Sequence, residues 1–381
     1  MSASESQIEL DATLAHDYLL VMRGAERTFA AIADAYARAP IFTLLYDEDG
    51  TGGRFAGRSL HTSPLDRLGV GQRHFRRLLP LYPWAVSRLA PPTCDVVLSS
   101  SSAFAHGLRV PTGAVHVCYC HAPFRYAWNE QQRALAEVPA PLRPLLRRQL
   151  QWMRNWDRAA SGRVDSYIAN SQLTQERIKR FYGRDSTVIH PPVETHRFST
   201  GEPGEALLLV GELVPHKRVD VALEAAKRLS VPIQIVGTGP TYAALREAYP
   251  QASFLGRVDD DELAALYASA RAVVVTAVEE FGITAVEGQA AGRPVIAAGA
   301  GGVLETVLAG ETGLFAQPGD VSSFAAAIEQ LAALDFDPAR AVANAERFSV
   351  ASFQEQLRRF VADTVARLRA AGEGAILSER P

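Results

Sequence analysis

The sequence has few of the features that mark secreted or membrane-spanning proteins. Its 381 residues include only three cysteines, Cys94, Cys118 and Cys120, too few for a full disulfide set. Cys118 and Cys120 alternate around Tyr119 in an apolar run, which favours buried thiols on a strand over a metal pair. The start, MSASESQIEL, lacks the basic residues and long apolar core of a signal peptide, and no apolar run approaches the roughly 20 residues of a membrane span. We therefore expect a cytoplasmic protein.

Neither sign of charge dominates, and the formal net charge of -3 predicts no general attraction to nucleic acid. Its distribution is uneven, because residues 1–198 carry 24 basic and 18 acidic side chains, while the rest of the chain is acidic. Many of the arginines fall in residues 66–89 and 141–158. Two interpretations stay open for these stretches: solvated helices, or a face that meets an anionic membrane or a phosphorylated acceptor.

Short apolar runs alternate with amphipathic segments along the chain, clearly in the second half (EALLLVGEL, VPIQIVGTG, RAVVVTAVEE, RPVIAAGAGG) and more loosely in the first. Runs of Val, Ile and Leu without polar alternation suit strands covered on both faces. The pattern predicts an α/β fold with two Rossmann-like, doubly wound domains facing across a cleft, in which ligands bind at the carboxyl ends of the strands.

The domain boundary is expected near Pro191 and Pro192, because adjacent prolines interrupt strands and helices. We therefore divide the chain into an N-terminal domain (residues 1–192), a C-terminal domain (residues 193–349), and a final helix with a tail (residues 350–381). We expect that helix to pack back on the N-terminal domain.

The segment EEFGITAVEG, residues 279–288, combines acids, a glycine and small apolar residues. A strand is expected to end near Val278 and a helix to begin at Ile283 or Thr284, which puts Glu279 in the loop. Glu287 then lies one turn inside the helix, where its carboxylate can accept two hydrogen bonds from a diol. The free N–H groups at the helix start suit a phosphate or sugar oxygen. The alternative is a turn with a favourable charge at a helix start.

Three other segments place polar residues after strands. Lys217 and Arg218 in VGELVPHKRVD suit a diphosphate, although surface Lys-Arg pairs are common. His121 in CYCHAPFRYAWNE follows a strand and is either structural or part of a site, with a cation and aromatics just after it. Gly24 in HDYLLVMRGAER could let a loop approach a phosphate before a helix that starts at Ala25.

Two motifs are missing. VGTGPT is only a fragment of a GxGxxG fingerprint, so a nicotinamide cofactor is not supported. No Asp-x-Asp cluster suited to a metal is evident, and DDDE at residues 259–262 fits a helix start better. We therefore expect neither a metal nor another cofactor.

These segments together resemble the retaining GT-B glycosyltransferases of family 4, including bacterial mannosyltransferases of polysaccharide and lipid-linked glycan assembly. The most specific element is the pair Glu279 and Glu287 in EEFGITAVEGQAAGRPVIA, where family sequences look like EGFGLPVLEAMACGTPVV. YCHAPFRYAWN is similar to the subgroup of O-antigen mannosyltransferases, and ANSQLTQERIKRFYGRDSTVIHPPVETHRF to the family's run into the second domain.

The resemblance implies a catalytic set of His121, Lys217 and Glu279. Glu287 would hold the nucleotide ribose, and Glu279 the donor-sugar hydroxyls. Lys217 would neutralise the diphosphate, and His121 would face the transferred sugar. Further donor-binding residues by resemblance are Gly24 near the phosphates, Arg257 and Val258 beside the base, and the backbone of Phe281, Gly282 and Ile283. The acceptor candidates are Arg125, Tyr126 and Trp128.

By resemblance the enzyme moves a hexose, with mannose favoured, from a nucleotide-diphosphate sugar to a glycan, lipid-linked or small-molecule acceptor. GDP-mannose is the first choice of donor and a UDP-sugar the second. One departure is Glu212, which stands where the family usually has an arginine, so that Arg218 must supply that charge or donor affinity falls. A non-catalytic nucleotide-sugar or glycan-binding protein and another GT-B enzyme, such as a sugar-nucleotide epimerase, stay open as alternatives.

Overall fold

The computed structural model of the protein describes residues 10–72, 74–136 and 138–378. These residues form two compact units, one running up to Ile189 and resuming at Gln354, the other spanning His190–Phe353. The start of the chain on which the signal-peptide argument rests, residues 1–9, and the end of the predicted tail, residues 379–381, lie outside the described residues.

The first unit contains a seven-stranded parallel sheet in the order β3-β2-β1-β4-β5-β6-β7. Its central strands β4 and β5 are buried at every residue, which explains their unbroken runs of apolar and small side chains. The strands are β1 (Ala12–His16), β2 (Ile41–Thr43), β3 (Leu60–Thr62), β4 (Val96–Ser101), β5 (Val115–Cys120), β6 (Ser166–Ala169) and β7 (Ser186–Val188). Cys118 and Cys120 on β5 are buried, free thiols, as predicted.

Six helices belong to the same part of the chain. The longest, α5, is amphipathic and buries Leu150 and Met153 against the core. The helices are α1 (Gly24–Ala35), α2 (Tyr82–Val86), α3 (Arg125–Trp128), α4 (Gln131–Ala136), α5 (Arg143–Ser161) and α6 (Gln172–Tyr182).

The second unit contains a six-stranded parallel sheet in the order β10-β9-β8-β11-β12-β13. Its strands are β8 (Leu207–Val210), β9 (Ile233–Val236), β10 (Ser253–Gly256), β11 (Ala272–Val275), β12 (Val295–Ala298) and β13 (Gly313–Ala316). The chain turns from one side of the sheet to the other between β8 and β11, as it does between β1 and β4 in the first unit. The predicted α/β fold with two doubly wound, Rossmann-like sheets is confirmed.

The helices of the second unit alternate with its strands. The DDDE segment does begin a helix, because the Asp259 side chain accepts a hydrogen bond from the N–H of Glu262 at 2.8 Å. The helices are α7 (Val219–Leu229), α8 (Tyr242–Ala248), α9 (Asp260–Ser269), α10 (Ile283–Ala290), α11 (Val303–Thr306), α12 (Val321–Gln330) and α13 (Pro338–Glu346).

The last helix, α14 (Val350–Ser378), starts in the second unit and continues in the first from Gln354. The amide of Gln354 donates to the carbonyl of Ala31 at 2.9 Å, and Arg369 forms an ion pair with Asp95. Leu357 and its neighbours one turn apart are buried, so one face of α14 packs on the first sheet's helices and the other meets water. Within the described part of the chain, no helix has the length and apolar content to cross a bilayer.

Candidate functional site

The strongest candidate site lies at the carboxyl ends of β8 and β11, where the strand order of the second sheet reverses. Open α/β sheets bind ligands at such switch points, because the loops after the two strands diverge there. The loop after β8 includes residues 211–218, and the loop after β11 includes residues 276–282. Both loops line one pocket, to which Gly211, Glu212, Lys217, Thr276, Glu279 and Thr284 contribute.

The two loops are joined by a contact between charged side chains. The ammonium Nζ of Lys217 donates to the carboxylate Oε1 of Glu279. Both side chains keep roughly a quarter of their surface exposed, 29% for Lys217 and 24% for Glu279. Thr276 Oγ1 donates to the carbonyl of Lys217 at 2.7 Å, which ties the backbone of the two loops together as well. The pocket therefore contains a cation and an anion in contact, on two loops that Thr276 also ties together.

The loop after β11 is longer than the sequence predicts, because β11 ends at Val275 and not near Val278. Helix α10 begins at Ile283, as predicted. Gly282 connects the two with φ +88°, a left-handed conformation in which a Cβ atom would also lie 2.8 Å from Val303 Cγ1. The N-cap residue Gly282 has no side chain with which to cap α10, and Thr284 in the first turn lines the pocket.

A glycine-rich loop after β12 packs against the loop after β11, and sequence reasoning did not identify it. Residues 299–302 (GAGG) follow β12, and the N–H of Gly302 donates to the carbonyl of Glu279 at 2.8 Å. A Cβ at Gly301 would lie 2.4 Å from that carbonyl oxygen, and one at Gly302 2.2 Å from the carbonyl oxygen of Glu280. The three glycines of the GAGG segment are the sequence signal that could have identified this close backbone approach.

The side chain of Phe281 points into the core and is 4% exposed. Its ring centroid lies 5.6 Å from that of His190 and 5.5 Å from that of Phe348. The Phe281 side chain is therefore part of the core and not of the pocket surface.

Glu287 lies one turn inside α10, as predicted, with a partner from α9. The hydroxyl of Tyr267 donates to Glu287 Oε2 at 2.7 Å, and Tyr267 itself is fully buried. Burial first, and then the charge of Glu287, raise the pKa of the Tyr267 phenol well above its ordinary value. Tyr267 thus stays a hydrogen-bond donor and fixes one carboxylate oxygen of Glu287.

Arg218 lies at the start of a helix, as the sequence predicts. It adopts a left-handed backbone conformation, φ +50°, at the start of α7, and its guanidinium pairs with Asp220 at 3.2 Å. Glu212 is exposed and lines the same pocket as Lys217 and Glu279. In this structure the Arg218 guanidinium has Asp220 as its partner, and both side chains are about half exposed.

Arg257 and Val258 lie farther along the sheet, in the turn between β10 and α9. Because β10 is the edge strand, β9 separates this turn from the loop after β8. Arg257 is exposed, and Val258 is partly buried against the core. The structure places them at the same sheet edge as the pocket but outside its lining.

In the first unit, His121 directly follows β5 and is 7% exposed. Its Nε2 lies 2.8 Å from the hydroxyl Oγ of Ser100 on β4, and that hydroxyl lies 3.1 Å from Nδ1 of His16 on β1. Burial lowers the pKa of His121 to about 3 and that of His16 to about 4, so both rings are neutral near pH 7. Sequence reasoning found His121 but missed His16 and Ser100, which lie in separate segments.

The residue after His16 fixes the end of β4. The carboxylate of Asp17 is 3% exposed and accepts hydrogen bonds from the N–H groups of Ser102, Phe104 and Ala105 at 2.6–2.9 Å. Since three backbone N–H groups bind one buried carboxylate, the loops after β1 and β4 are held together at the switch point of the first sheet.

Gly24 is the first residue of α1, one position earlier than expected, and therefore not part of a preceding loop. The helix start is closed by Glu26, whose side chain accepts from the N–H of Arg23 at 3.1 Å. Burial raises the pKa of Glu26 to about 6.

The three acceptor candidates lie on the short helix α3 and differ in environment. The indole N–H of Trp128 donates to the buried Asp157 at 2.7 Å, and the ring stacks on Phe181 at 4.7 Å, so Trp128 is tied into the core. Tyr126 is partly buried, with the guanidinium of Arg76 5.6 Å above its ring, and Arg125 is exposed.

Two protein-family models match the chain. The model described as Glycosyltransferase Family 4 matches residues 22–197, and the one described as Glycosyl transferases group 1 matches residues 193–348. Together they span most of both units.

Curated relatives are about one third identical to this chain over the aligned residues. The D-inositol 3-phosphate glycosyltransferase of Mycobacterium sp. (strain JLS) is 31% identical over 198 residues, 44% of this chain and 45% of that protein. D-inositol 3-phosphate glycosyltransferase 2 of Catenulispora acidiphila is 32% identical over 205 residues, 44% of this chain and 48% of that protein. The chain thus spans about half the length of the curated relatives that it matches.

Solved structures share the fold over almost the whole chain. Anabaena Alr3699/HepE, solved in complex with UDP, has a TM-score of 0.69 at 18% identity and covers 92% of this chain and 100% of its own. Sucrose-phosphate synthase from Thermosynechococcus elongatus has a TM-score of 0.70 at 18% identity, with 95% and 100% covered. The two Rossmann-like sheets, the matched family models and these neighbours identify the chain as a member of the family 4 glycosyltransferases with the GT-B fold.

Proposed function

We propose that this protein is a retaining glycosyltransferase that moves a hexose from a nucleotide-diphosphate sugar to an acceptor hydroxyl. The observation that carries the proposal is the contact of Lys217 with Glu279 at the switch point of the second sheet. A cation suited to a diphosphate and a carboxylate suited to sugar hydroxyls meet there in one pocket, beside the start of α10.

In this proposal Lys217 binds the diphosphate of the donor, and Glu279 binds hydroxyls of the sugar. The backbone of Phe281, Gly282 and Ile283 donates hydrogen bonds to the same groups. Glu287 accepts hydrogen bonds from the two ribose hydroxyls, with its carboxylate oriented by the Tyr267 hydroxyl. Further proposed contacts rest on the family resemblance alone: Arg257 and Val258 beside the base, Gly24 near the phosphates, and His121 at the transferred sugar.

In the proposed step the bond between the anomeric carbon and the leaving phosphate oxygen breaks, and a bond from that carbon to the acceptor oxygen forms on the same face. The acceptor hydroxyl gives its proton to the departing phosphate oxygen, so charge and atoms balance without an enzyme nucleophile. Lys217 and the N–H groups of α10 stabilise the charge that develops on the diphosphate. Since these groups carry positive charge themselves, we propose that no metal ion is needed, and a chelator should leave the rate unchanged.

The donor is proposed as a nucleotide-diphosphate hexose. The resemblance of YCHAPFRYAWN to mannosyltransferases favours GDP-mannose, while a solved structure of HepE with UDP-glucose supports a UDP-sugar. Thermal unfolding with GDP-, UDP-, ADP- and dTDP-sugars separates these donors, because binding to the native state raises the unfolding temperature. The proposal predicts a shift with one base, and no shift with any of them would contradict it.

The acceptor is proposed as a glycan, a lipid-linked glycan or a small polyol such as an inositol phosphate, which the names of the curated relatives support. Release of nucleoside diphosphate that depends on the acceptor separates a transferase from a donor-binding protein. A donor that binds without any acceptor-dependent release would favour the non-catalytic alternative, for which the acid Glu212 in the pocket is the supporting observation.

We also propose that helix α5 contacts the anionic inner face of a membrane. Leu145 and Trp152 on α5 are 68% and 47% exposed, with the exposed Arg147 and Arg148 beside them, and the helix's single acid, Asp157, is buried. Exposed apolar and basic side chains on one helix suit an anionic bilayer. Sedimentation with phosphatidylglycerol vesicles should fall in Leu145→Ala/Trp152→Ala and stay unchanged in Leu304→Ala, an exposed leucine of the other unit. Equal binding by all three proteins would contradict this contact.

A further inference from the structure

Two histidine rings of the first sheet contact the hydroxyl of a serine that lies on the strand between them. His16 ends β1, Ser100 lies on β4, and His121 follows β5. His16 and Ser100 are register partners in the parallel pair of β1 and β4. Ser100 Oγ lies 3.1 Å from His16 Nδ1 and 2.8 Å from His121 Nε2, both within hydrogen-bonding distance. One serine hydroxyl therefore connects the two imidazole rings.

The protons in this arrangement constrain one another. A hydroxyl has one proton to donate and can accept hydrogen bonds from others, and each neutral imidazole carries one proton on one of its two nitrogens. If His16 donates to Ser100, the serine proton is free to go to His121 Nε2. If His121 donates instead, the serine proton goes to His16. When the serine proton bonds to one of the two rings, the proton position on one ring thus sets the proton position on the other.

The two distances favour one of these states. Ser100 Oγ lies 3.1 Å from His16 Nδ1 and 2.8 Å from His121 Nε2, and hydrogen bonds donated by an N–H are longer than those donated by a hydroxyl. The longer contact suits an N–H donor on His16, and the shorter contact suits the serine hydroxyl as donor to His121. Nδ1 is the nitrogen that faces Ser100. His16 accordingly carries its proton on Nδ1.

The consequence passes to His121 through the serine. Ser100 accepts from His16 and donates its own proton to His121 Nε2, which leaves the His121 proton on Nδ1. Nε2 is occupied by this contact, so Nδ1 is the nitrogen that His121 offers to any other group. Nδ1–H is the minor form of a free imidazole in water, so the protein environment must hold it.

The surroundings keep both rings in place. The His16 ring stacks on Phe29 with centroids 4.7 Å apart and planes at 19°. The hydroxyl of Thr174 donates to the carbonyl of His121 at 3.3 Å. Asp17 fixes the backbone that follows His16, through its hydrogen bonds to the end of β4. Rings that are buried and packed in this way have little freedom to exchange partners.

We propose that His16 is a positioning residue that, acting through the hydroxyl of Ser100, holds His121 with its proton on Nδ1 and so makes His121 a hydrogen-bond donor. The proton arrangement is a property of the free protein. Its consequence for transfer rests on the proposed function, in which His121 contacts the transferred sugar. A donor N–H suits a sugar hydroxyl oxygen, and a ring in the other form would present a lone pair to the same oxygen.

The direct test is NMR of the whole chain labelled with ¹⁵N-histidine, in which ring nitrogen shifts and couplings report the protonated nitrogen. The His121 signal is identified by its loss in His121→Ala. We expect the Nδ1–H form for both rings in the wild type. In Ser100→Ala and in His16→Leu, His121 should shift toward the Nε2–H form. His16→Asn, whose side-chain amide can donate from the position of Nδ1, should restore the wild-type pattern.

The matched control is Ser99→Ala. Ser99 precedes Ser100 on β4, and its Oγ lies 2.8 Å from Nε2 of the buried His116 on β5. This variant loses an equivalent buried contact without touching His16 or His121, so the His121 spectrum should not change. A wild-type His121 in the Nε2–H form, or a His121 spectrum unaffected by His16→Leu, would overturn the proposal whatever the activity.

Transfer assays then test the consequence. Ser100→Ala and His16→Leu should each lower kcat about 10-fold or more with little change in donor KM, because they disturb the alignment of a residue and not donor binding. The double variant should be no worse than the single ones, since both act through one path. If the His121 proton moves as expected but kcat does not change, the proton arrangement stands and the proposed role of His121 in transfer is wrong.

Discussion

Lys217 and Glu279 are 62 residues apart in the chain, and their side chains meet at the carboxyl ends of β8 and β11. The contact joins the two loops that diverge at the switch point of the second sheet. Each charge is the other's partner. A bound diphosphate would give Lys217 a second anion, and sugar hydroxyls would give Glu279 new donors, so both ends of the pair are suited to one ligand.

Lys217→Met removes the cation while keeping the apolar length of the side chain. Because a hydrogen bond to a charged group contributes about 1.5–3 kcal/mol, nucleoside diphosphate affinity should fall about 10- to 100-fold. Calorimetric titration measures it. Lys179→Met is the matched control, since Lys179 forms a comparable pair with Asp185 at 2.7 Å in the other unit. Equal affinity in the two variants would show that Lys217 does not bind the diphosphate.

Tyr267→Phe removes the hydrogen bond that orients Glu287. The hydroxyl lies 2.7 Å from Oε2 and is buried, so its loss frees the carboxylate to rotate without changing its charge. Donor KM should rise several-fold with kcat nearly unchanged, because a ribose contact is made equally in the ground and transition states. Steady-state kinetics with varied donor measure this, and Tyr249→Phe is the control. A fall in kcat alone would contradict the ribose assignment.

Gly282→Ala tests the backbone conformation at the start of α10. A side chain at φ +88° is strained, and the new methyl carbon would also lie 2.8 Å from Val303 Cγ1. Gly310→Ala is matched, with φ +78° and nothing within 4 Å of the added carbon. We expect Gly310→Ala to lower the free energy of unfolding by about 1–2 kcal/mol, and Gly282→Ala by more. Urea unfolding measures both, and equal losses would mean that the Val303 contact has no role.

Stability should fall as the pH drops from about 7 to 4. Burial lowers the pKa of His116 to about 3 from an unfolded value of 6.5, so the unfolded chain binds more protons in that window. The His116 contribution is complete above pH 6.5 and is lost as the pH falls toward 3. Ser99→Ala with His116→Leu removes both partners, and should flatten the dependence by about 1.4 kcal/mol per pH unit.

The contribution of Glu26 to the pH dependence of stability has the opposite sign. Burial raises its pKa to about 6, above the value of 4.5 for an exposed glutamate, so its contribution is present at low pH and lost as the pH rises through 6. Glu26→Gln should therefore steepen the fall in stability toward low pH. Unfolding curves of both variants between pH 4 and 7 test the two signs together, and slopes that change in the same direction would contradict the assignments.

Much of the fold follows from local sequence patterns. Buried parallel strands need uninterrupted apolar runs, so EALLLVGEL and RAVVVTAVEE indicated β8 and β11 directly. The start of α10 at Ile283 and the aspartate at the start of α9 also follow from local signals. The end of β11 does not, because Ala277 and Val278 are apolar but leave the ladder, and hydropathy alone cannot show where pairing stops.

The parts of the site that sequence reasoning missed depend on contacts between distant segments. Ser100 looks like one of several serines in CDVVLSSSS, and only the sheet order brings it between His16 and His121. Trp128 is predicted as an acceptor-binding aromatic residue, and the structure shows that its indole N–H donates to Asp157 on α5. Side-chain direction and long-range pairing carry no local sequence signal, so these relationships required the structure.

The account depends most on nucleotide-sugar binding at the pocket of Lys217, Glu279 and Glu287. The most direct measurement is calorimetric titration of the stabilising nucleoside diphosphate into the wild type, Glu287→Ala and Glu329→Ala, an exposed glutamate on α12 of the same unit. We predict that Glu287→Ala abolishes binding and that Glu329→Ala binds like the wild type. Normal binding by Glu287→Ala would contradict the central claim.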